Sequence, residues 1–363
     1  MPGKLKSIAI LAVLLLAATP PLAAADDTIP SNKAQVSSWF QSSVKAASAR
    51  KGTLDPDLAA AEEKMKVIKV RKDGGGEFNT IMAAINSIPA GNKERVVISI
   101  GGGVYQEKIM IPRTKPFITF YGAPNAMPTL VYGGTAAQYG TVNSASVIVE
   151  SDYFMATNIV FKNSAPLPNG KTGQQALALR ITGDKAAFYH CRFIGFQDTL
   201  CDDKGKHFFM DSYIEGTVDF IFGSAKSIYL NTDLYVLNSG GFTMLTAHAR
   251  SSPSEDTGFS FAHCSISGTA TDAVLGRAWM PSPRVVFSYT QMSNVVSAGG
   301  WSNNFHPERN KTVFFGEYMN TGPGANRAKR VTFSKELSSA EVQPFLKLAF
   351  IEADKWLLPP PHV

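Results

Sequence analysis

Residues 195–223 read GFQDTLCDDKGKHFFMDSYIEGTVDFIFG, and their reading decides the fold. Asp198 lies in GFQDTL and Asp219 opens DFIFG, so two carboxylates fall among apolar, strand-forming residues. A carboxylate in such surroundings loses hydration, at a cost of several kcal/mol unless it is paired, hydrogen-bonded or protonated. The two stand 21 residues apart, and Gln175 stands 22 residues before Gln197. That interval suits one turn of a β-solenoid, where successive coils stack and groups one coil apart become neighbours at roughly 5 Å. Gln175, Gln197, Asp198 and Asp219 are therefore expected to converge on one face.

Working outward, the middle of the chain repeats a pattern. Phe188, Phe209, Tyr229, Phe261 and Phe287 each stand three residues before a small residue: Cys191, Ser212, Thr232, Cys264 and Thr290. Phe193, Ile214, Leu234, Ile266 and Met292 follow two residues after these. The steps between the small residues are 21, 20, 32 and 26. A preserved register with variable steps implies stacked rungs with loops of different length between them, an all-β chain folded as a right-handed parallel β-helix. Inward aromatics would form ladders along its core. A sandwich of antiparallel hairpins is the alternative, and it lacks clear Asn-Gly or Asp-Gly turns between paired strands.

Strand signals begin near residue 67 with VIKV and continue through RVVISI, KIMI and PFITFYG. Between the first two, GGGEFNTIMAAINSIP reads as a helix with Ile81, Ala84, Ile85 and Ile88 on one face. Its leading glycines lack the rest of any phosphate-binding fingerprint, so they read as a loop. Residues 26–66 carry helix-like spacing at Trp39, Phe40, Val44 and Ala47 and are expected to cap the open end of the solenoid. Residues 67–363 then form one β-helix domain, ending in a helical stretch from Ser334 to Trp356 and an extended LLPPPHV tail across the solenoid.

Of the 363 residues, 44% are hydrophobic and 18% charged, enough for a large core in one domain. The net charge of +6 comes without a dense basic run, so no nucleic-acid partner is expected, whereas an anionic polymer fits. Lys4 and Lys6 precede the apolar run Ile8 to Ala18, and Ala23-Ala24-Ala25 supplies a cleavage site, so residues 1–25 read as a secretory signal. No later run reaches the length of a membrane span, and the mature chain is expected outside the cell and off the membrane, with a sequon at Asn310. Cys191, Cys201 and Cys264 allow at most one disulfide, and Cys191 and Cys264 read as small buried hydrophobes. The six histidines show no metal-binding spacing, and no metal or other cofactor is expected.

An ester carbonyl under attack needs a nucleophile, donors for the developing oxyanion and an acid for the departing alkoxide. Asp219 suits the first role, the amides of Gln175 and Gln197 the second, and Asp198 the third. Two close carboxylates resist double ionisation, and a cation beside one decides which keeps its proton. Arg277 in LGRAW is the candidate cation: paired with Asp219, it leaves Asp198 protonated.

GGVYQEK, QALAL, GFQDTL, GTVDFIFG and LGRAW, in this order and spacing, closely resemble the signature segments of plant pectin methylesterases, from about residue 67 to the WLLPPP tail. The resemblance implies a right-handed parallel β-helix that hydrolyses methyl esters of the galacturonan in pectin, releasing methanol. It assigns the roles above to Asp219, Asp198, Gln175, Gln197 and Arg277, and it implies that Phe220 and Trp279 contact the sugar chain. It also implies a cell-wall location, a monomer, and a proteinaceous inhibitor as a candidate second partner. The chain departs from many relatives at Cys201, where they have Tyr, and at Ser212, where they have Cys, so a disulfide found there is not expected here. It is also similar to the subgroup that is secreted without the inhibitor-like pro-region of many plant members.

Rival functions make different demands. A glycoside hydrolase would use two carboxylates without a glutamine pair or an arginine fixing one acid. A calcium-dependent lyase would want several clustered acidic ligands, which residues 195–223 do not convincingly supply. No G-x-S-x-G is present for a serine esterase. A wall-binding solenoid without turnover would not need the complete set of catalytic residues.

Overall fold

The computed structural model describes residues 27–50 and 52–361; the expected signal segment, 1–25, lies outside the described residues. Strands build three sheets of eleven, eight and eight members, and each strand pairs in parallel with its counterpart on the next coil. One coil runs through Ala186–Tyr189, Arg192–Ile194 and Leu200–Asp202, and the next through Lys206–Met210, Tyr213–Gly216 and Ile221–Gly223. The chain is the right-handed parallel β-helix that its repeat predicts.

The repeat has a physical cause at each position. Phe188, Phe209, Tyr229, Phe261 and Phe287 are consecutive partners in the eleven-stranded sheet. Their rings stack at centroid separations of 4.7, 4.6, 4.4 and 4.4 Å, close to the strand spacing, so a single column of aromatic contacts runs through the core. At the corner that follows, His190, Asp211, Asn231, His263 and Tyr289 all adopt left-handed backbone with φ between 50° and 54°. The small residue comes next, inside the bend, and its carbonyl accepts a hydrogen bond from the coil above: Tyr213 donates to Cys191, Asp233 to Ser212, Ser265 to Thr232 and Gln291 to Cys264. All three cysteines are buried thiols, and Ser212 Oγ accepts from the Cys191 N–H at 3.2 Å.

Two expectations about the ends need correction. The lead does not cap the solenoid's end. Its helices α1 (Val36–Ser43) and α2 (Pro56–Ala61) lie along the outside of the eleven-stranded sheet, where Phe40 stacks on Phe208 at 5.6 Å. Lys185 and Arg95 hold the lead there through ion pairs with Asp55 at 2.7 Å and Glu62 at 2.6 Å. The reason is that the outer face of this sheet is itself apolar, with Met155, Tyr189, Phe208, Met210, Ile228 and Leu230 in the same cluster as the lead and the C-terminal segment. Leu346, Phe350, Ile351 and Trp356 complete that cover. The cap is instead α3 (Ile81–Ser87), whose Ile81, Ala84 and Ile85 join the main core, together with Ile88 just beyond it. The Glu107 carboxylate accepts from the N–H groups of Ile81 and Met82, both at 2.9 Å, satisfying the start of this helix. The C-terminal stretch also opens differently: Ser334–Glu336 is the last strand of the long sheet, and helical turns begin only at Ser339.

Inside the solenoid lies a fully buried cluster of polar side chains. Asp202 pairs with the His207 Nδ1 and accepts from Tyr229 Oη at 2.7 Å, and His207 Nε2 meets the Gly183 carbonyl at 2.8 Å. Burial opposes a charge on His207, yet Asp202 holds its pKa above the ordinary value. Because every member is satisfied, this is core architecture rather than a site.

Candidate active site

The eight-stranded sheet that contains Leu179–Ile181, Leu200–Asp202, Ile221–Gly223, Thr243–His248 and Ala273–Arg277 floors the site. Leu200 and Ile221 are register partners. Asp198 and Asp219, each two residues earlier, therefore occupy equivalent positions on adjacent coils. Both bend the chain into this sheet with left-handed backbone, φ 66° and 50°, a conformation that aspartate tolerates better than most residues. The coils are tied by bonds from the Asp198 N–H to the Val218 carbonyl and from the Leu200 N–H to the Phe220 carbonyl, both 2.9 Å. The two aspartates are only 7% and 6% exposed.

Arg277 comes from two coils further along, since Ile221 pairs with Thr246 and Thr246 with Gly276. Its side chain reaches back across the intervening coil. Nε donates to Asp219 Oδ1 at 2.8 Å and Nη2 to Asp219 Oδ2, a bidentate fork. Nη1 donates to Asn304 Oδ1 at 2.9 Å, and the guanidinium carbon lies 4.7 Å from the centroid of the Trp279 ring. Among the described residues, the Asp198 carboxyl and the side-chain amides of Gln175 and Gln197 have no hydrogen-bond partner. The two glutamines are half-buried on adjacent coils, where the Ala176 N–H donates to the Gln197 carbonyl at 3.2 Å. The structure thus brings together all five residues expected to act.

Electrostatics separate the two acids. Burial pushes Asp198 well above the usual carboxyl range, and the neighbouring Asp219 charge pushes it further, with Arg277 only partly opposing. Burial also raises Asp219, but the hydrogen bonds and charge of Arg277 pull it back. Asp219 is consequently the member that ionises first, and Asp198 the one that keeps its proton.

The sugar-contacting residues need one correction. Trp279 is 50% exposed beside Arg277, but Phe220 is fully buried in the main core and packs on Gly216. The left-handed residue at the bend resets the alternation of side chains, sending Phe220 and Ile221 inward and Phe222 outward. Phe222 is half-buried, against a small cluster of Ala145, Ile148, Leu177 and Cys201, and is the phenylalanine of DFIFG that faces the site. Its register partner is Cys201, three residues after Asp198, as Phe222 is three after Asp219. Asn304 also escaped the sequence reading; its signal was one more rung step, which pairs Arg277 with Ser302, two residues before it. Among the described residues, no group of three or more His, Cys, Asp or Glu is placed to hold a metal ion.

With this geometry in place, comparison with known proteins is informative. The Pectinesterase family profile matches residues 67–354. The chain belongs to the pectinesterase family. It is 54% identical over 358 residues to Pectinesterase 1 of Olea europaea, covering 97% of this chain and 98% of that one. Among solved structures, it is similar to a pectin methylesterase from carrot, at 32% identity and a TM-score of 0.76, over 81% of this chain and 97% of that one. A pectin methylesterase in complex with a hexasaccharide matches at 26% identity and a TM-score of 0.68, over 82% and 99% of the two chains.

In this pectinesterase, stability opposes the site. A carboxyl whose folded-state pKa lies above its unfolded value, about 3.9, costs nothing below that value; the cost accrues as pH rises from there to the folded pKa and is fully present above it. Asp198→Asn, which keeps the left-handed bend, is expected to raise the melting temperature at pH 7, by roughly 1–2 °C per kcal/mol relieved in a chain of this length, and to give no gain near pH 4. Thermal denaturation at the two pH values checks this.

Proposed function

We infer that Asp219 is the nucleophile of an acyl-enzyme mechanism by which this enzyme hydrolyses the methyl esters of pectin. The single observation that carries this reading is the bidentate Arg277–Asp219 pair beside a buried Asp198 carboxyl that makes no hydrogen bond of its own, an environment that favours its protonated form. An ionised Asp219 oxygen attacks the C6 carbonyl carbon, and the carbonyl π pair moves onto oxygen, where the Gln175 and Gln197 amides donate to it. As the oxyanion collapses, the bond to methoxide breaks and Asp198 gives its proton to the leaving oxygen, so methanol departs and a mixed anhydride joins Asp219 to the galacturonyl group. Asp198, now a carboxylate, takes a proton from water; the hydroxide adds to C6, and the anhydride bond breaks to return Asp219 as carboxylate. Each cycle consumes one water and yields one galacturonic acid group and one methanol. Phe222 and Trp279 supply apolar surface for the sugar rings on either side of the reacting ester.

We further propose that the protein is secreted to the cell wall as a monomer carrying a glycan at Asn310. Support comes from the signal-like residues 1–25 and from the exposure of Asn310 in its Asn310-Lys311-Thr312 sequon. Protein recovered from the medium of expressing plant cells is expected to begin near Asp26 and to lose mass on treatment with an N-glycanase. An intact N-terminus, or an unmodified Asn310 peptide, would contradict the respective part.

The mechanism is tested by assaying methanol, new reducing ends and unsaturated ends together, on highly methylated pectin. Wild type is expected to release methanol alone. Asp219→Asn is expected to abolish turnover with the fold intact, and Asp198→Ala to lower kcat by about 10²–10⁴-fold, the usual contribution of a general acid. Activity should rise as Asp219 loses its proton, above the ordinary aspartate range, and fall at higher pH as Asp198 loses its own. Wild-type methanol release by Asp219→Asn would reject the assignment.

A further inference from the structure

Arg277 makes more contacts than pairing with Asp219 requires, and the residue behind the extra one sits in unusual backbone. Asn304 and Phe305 are consecutive non-glycine residues in the left-handed region, with φ 59° and 62°. Asparagine tolerates this conformation; a bulky aromatic residue does not adopt it readily. Packing does not compensate, because Phe305 is 87% exposed. The turn is held by local bonds: the Asn304 N–H donates to Ser302 Oγ at 3.0 Å, and the Phe305 N–H to Asn303 Oδ1 at 3.2 Å. What the strained turn accomplishes is to aim one amide oxygen at Arg277 Nη1.

We propose that Asn304 is a positioning residue for the esterase reaction: by holding Nη1 it fixes the rotation of the Arg277 guanidinium, so that the Nε and Nη2 edge meets Asp219. The proposal rests on Asp219 as the nucleophile. With one face of the guanidinium on Trp279, one edge on Asp219 and Nη1 on Asn304, the cation has a single orientation. The chemistry of the amide matters as well. A neutral acceptor engages Nη1 without neutralising the guanidinium, which leaves its full positive charge for Asp219. A carboxylate at this position would make the same bond but would divide that charge and repel the ionised nucleophile. Asp219 faces Arg277 directly and Asp198 lies beside that pair; on the stretch after Asn304, His306 pairs with Glu308 at 2.9 Å, and the Arg309 guanidinium donates to the carbonyls of Ala278 and Trp279, the latter at 2.9 Å, next to Arg277.

The deciding variant is Asn304→Gly. Glycine adopts left-handed backbone freely, so it preserves or relieves the turn while deleting only the acceptor. Loss of a hydrogen bond to a charged group is expected to lower kcat about tenfold or more, with KM within about twofold, and to move the acidic limb of the kcat–pH profile upward. Asn304→Asp keeps the bond and the turn, and is expected to move the same limb upward further while retaining the melting temperature. If Asn304 served only the turn, Asn304→Gly would retain wild-type kcat and an unshifted profile, and that result overturns the proposal. An acidic limb unmoved in Asn304→Asp overturns it independently. Failure of the underlying assignment has a different signature, methanol release by Asp219→Asn, and is scored in parallel.

Discussion

The parallel register of the coils is the constraint on which everything else depends. Each strand must hydrogen-bond to its counterpart one coil away, and the aromatic column from Phe188 to Phe287 allows no slip by a single residue without turning core side chains outward. The same register that stacks rings inside stacks Asp198 and Asp219 outside, whatever the cost in desolvation and repulsion. The acids sit side by side because the fold leaves them no alternative.

One guanidinium then makes that juxtaposition useful. Reaching from two coils away, Arg277 binds both oxygens of Asp219 and none of Asp198, so two chemically identical groups acquire different proton affinities. The asymmetry assigns attack to one and proton transfer to the other without a third catalytic group. It also explains why the site is spread over residues 175 to 304 in sequence yet compact in space: its parts come from stacked coils, and insertions between coils change loops without moving the register.

Much of this was legible in the chain. The positions three before and two after each small residue marked the rungs, because the core selects ring size there and the corner selects small side chains. The acids were visible as charges in apolar runs, and the arginine as the cation that they required. Legibility ended where local backbone broke the pattern. Phe220 was placed against the sugar only by the family resemblance, but the left-handed bend at Asp219 turns it into the core and leaves Phe222 outward. Asn304 left no compositional mark, since an asparagine in a loop resembles any other turn residue. The lead was read as an end cap because stacked repeats need an open end covered; Phe208, Ile228 and Leu230 make the outer face of the long sheet apolar and draw both the lead and the C-terminal segment across it.

The most direct test of this division of charge is a carboxyl titration followed by NMR on protein with ¹³C-labelled aspartate, the two resonances assigned with Asp198→Asn and Asp219→Asn. The account predicts that Asp219 ionises first and that Asp198 retains its proton to distinctly higher pH. Ionisation in the opposite order, or of both groups together within the ordinary aspartate range, would contradict it.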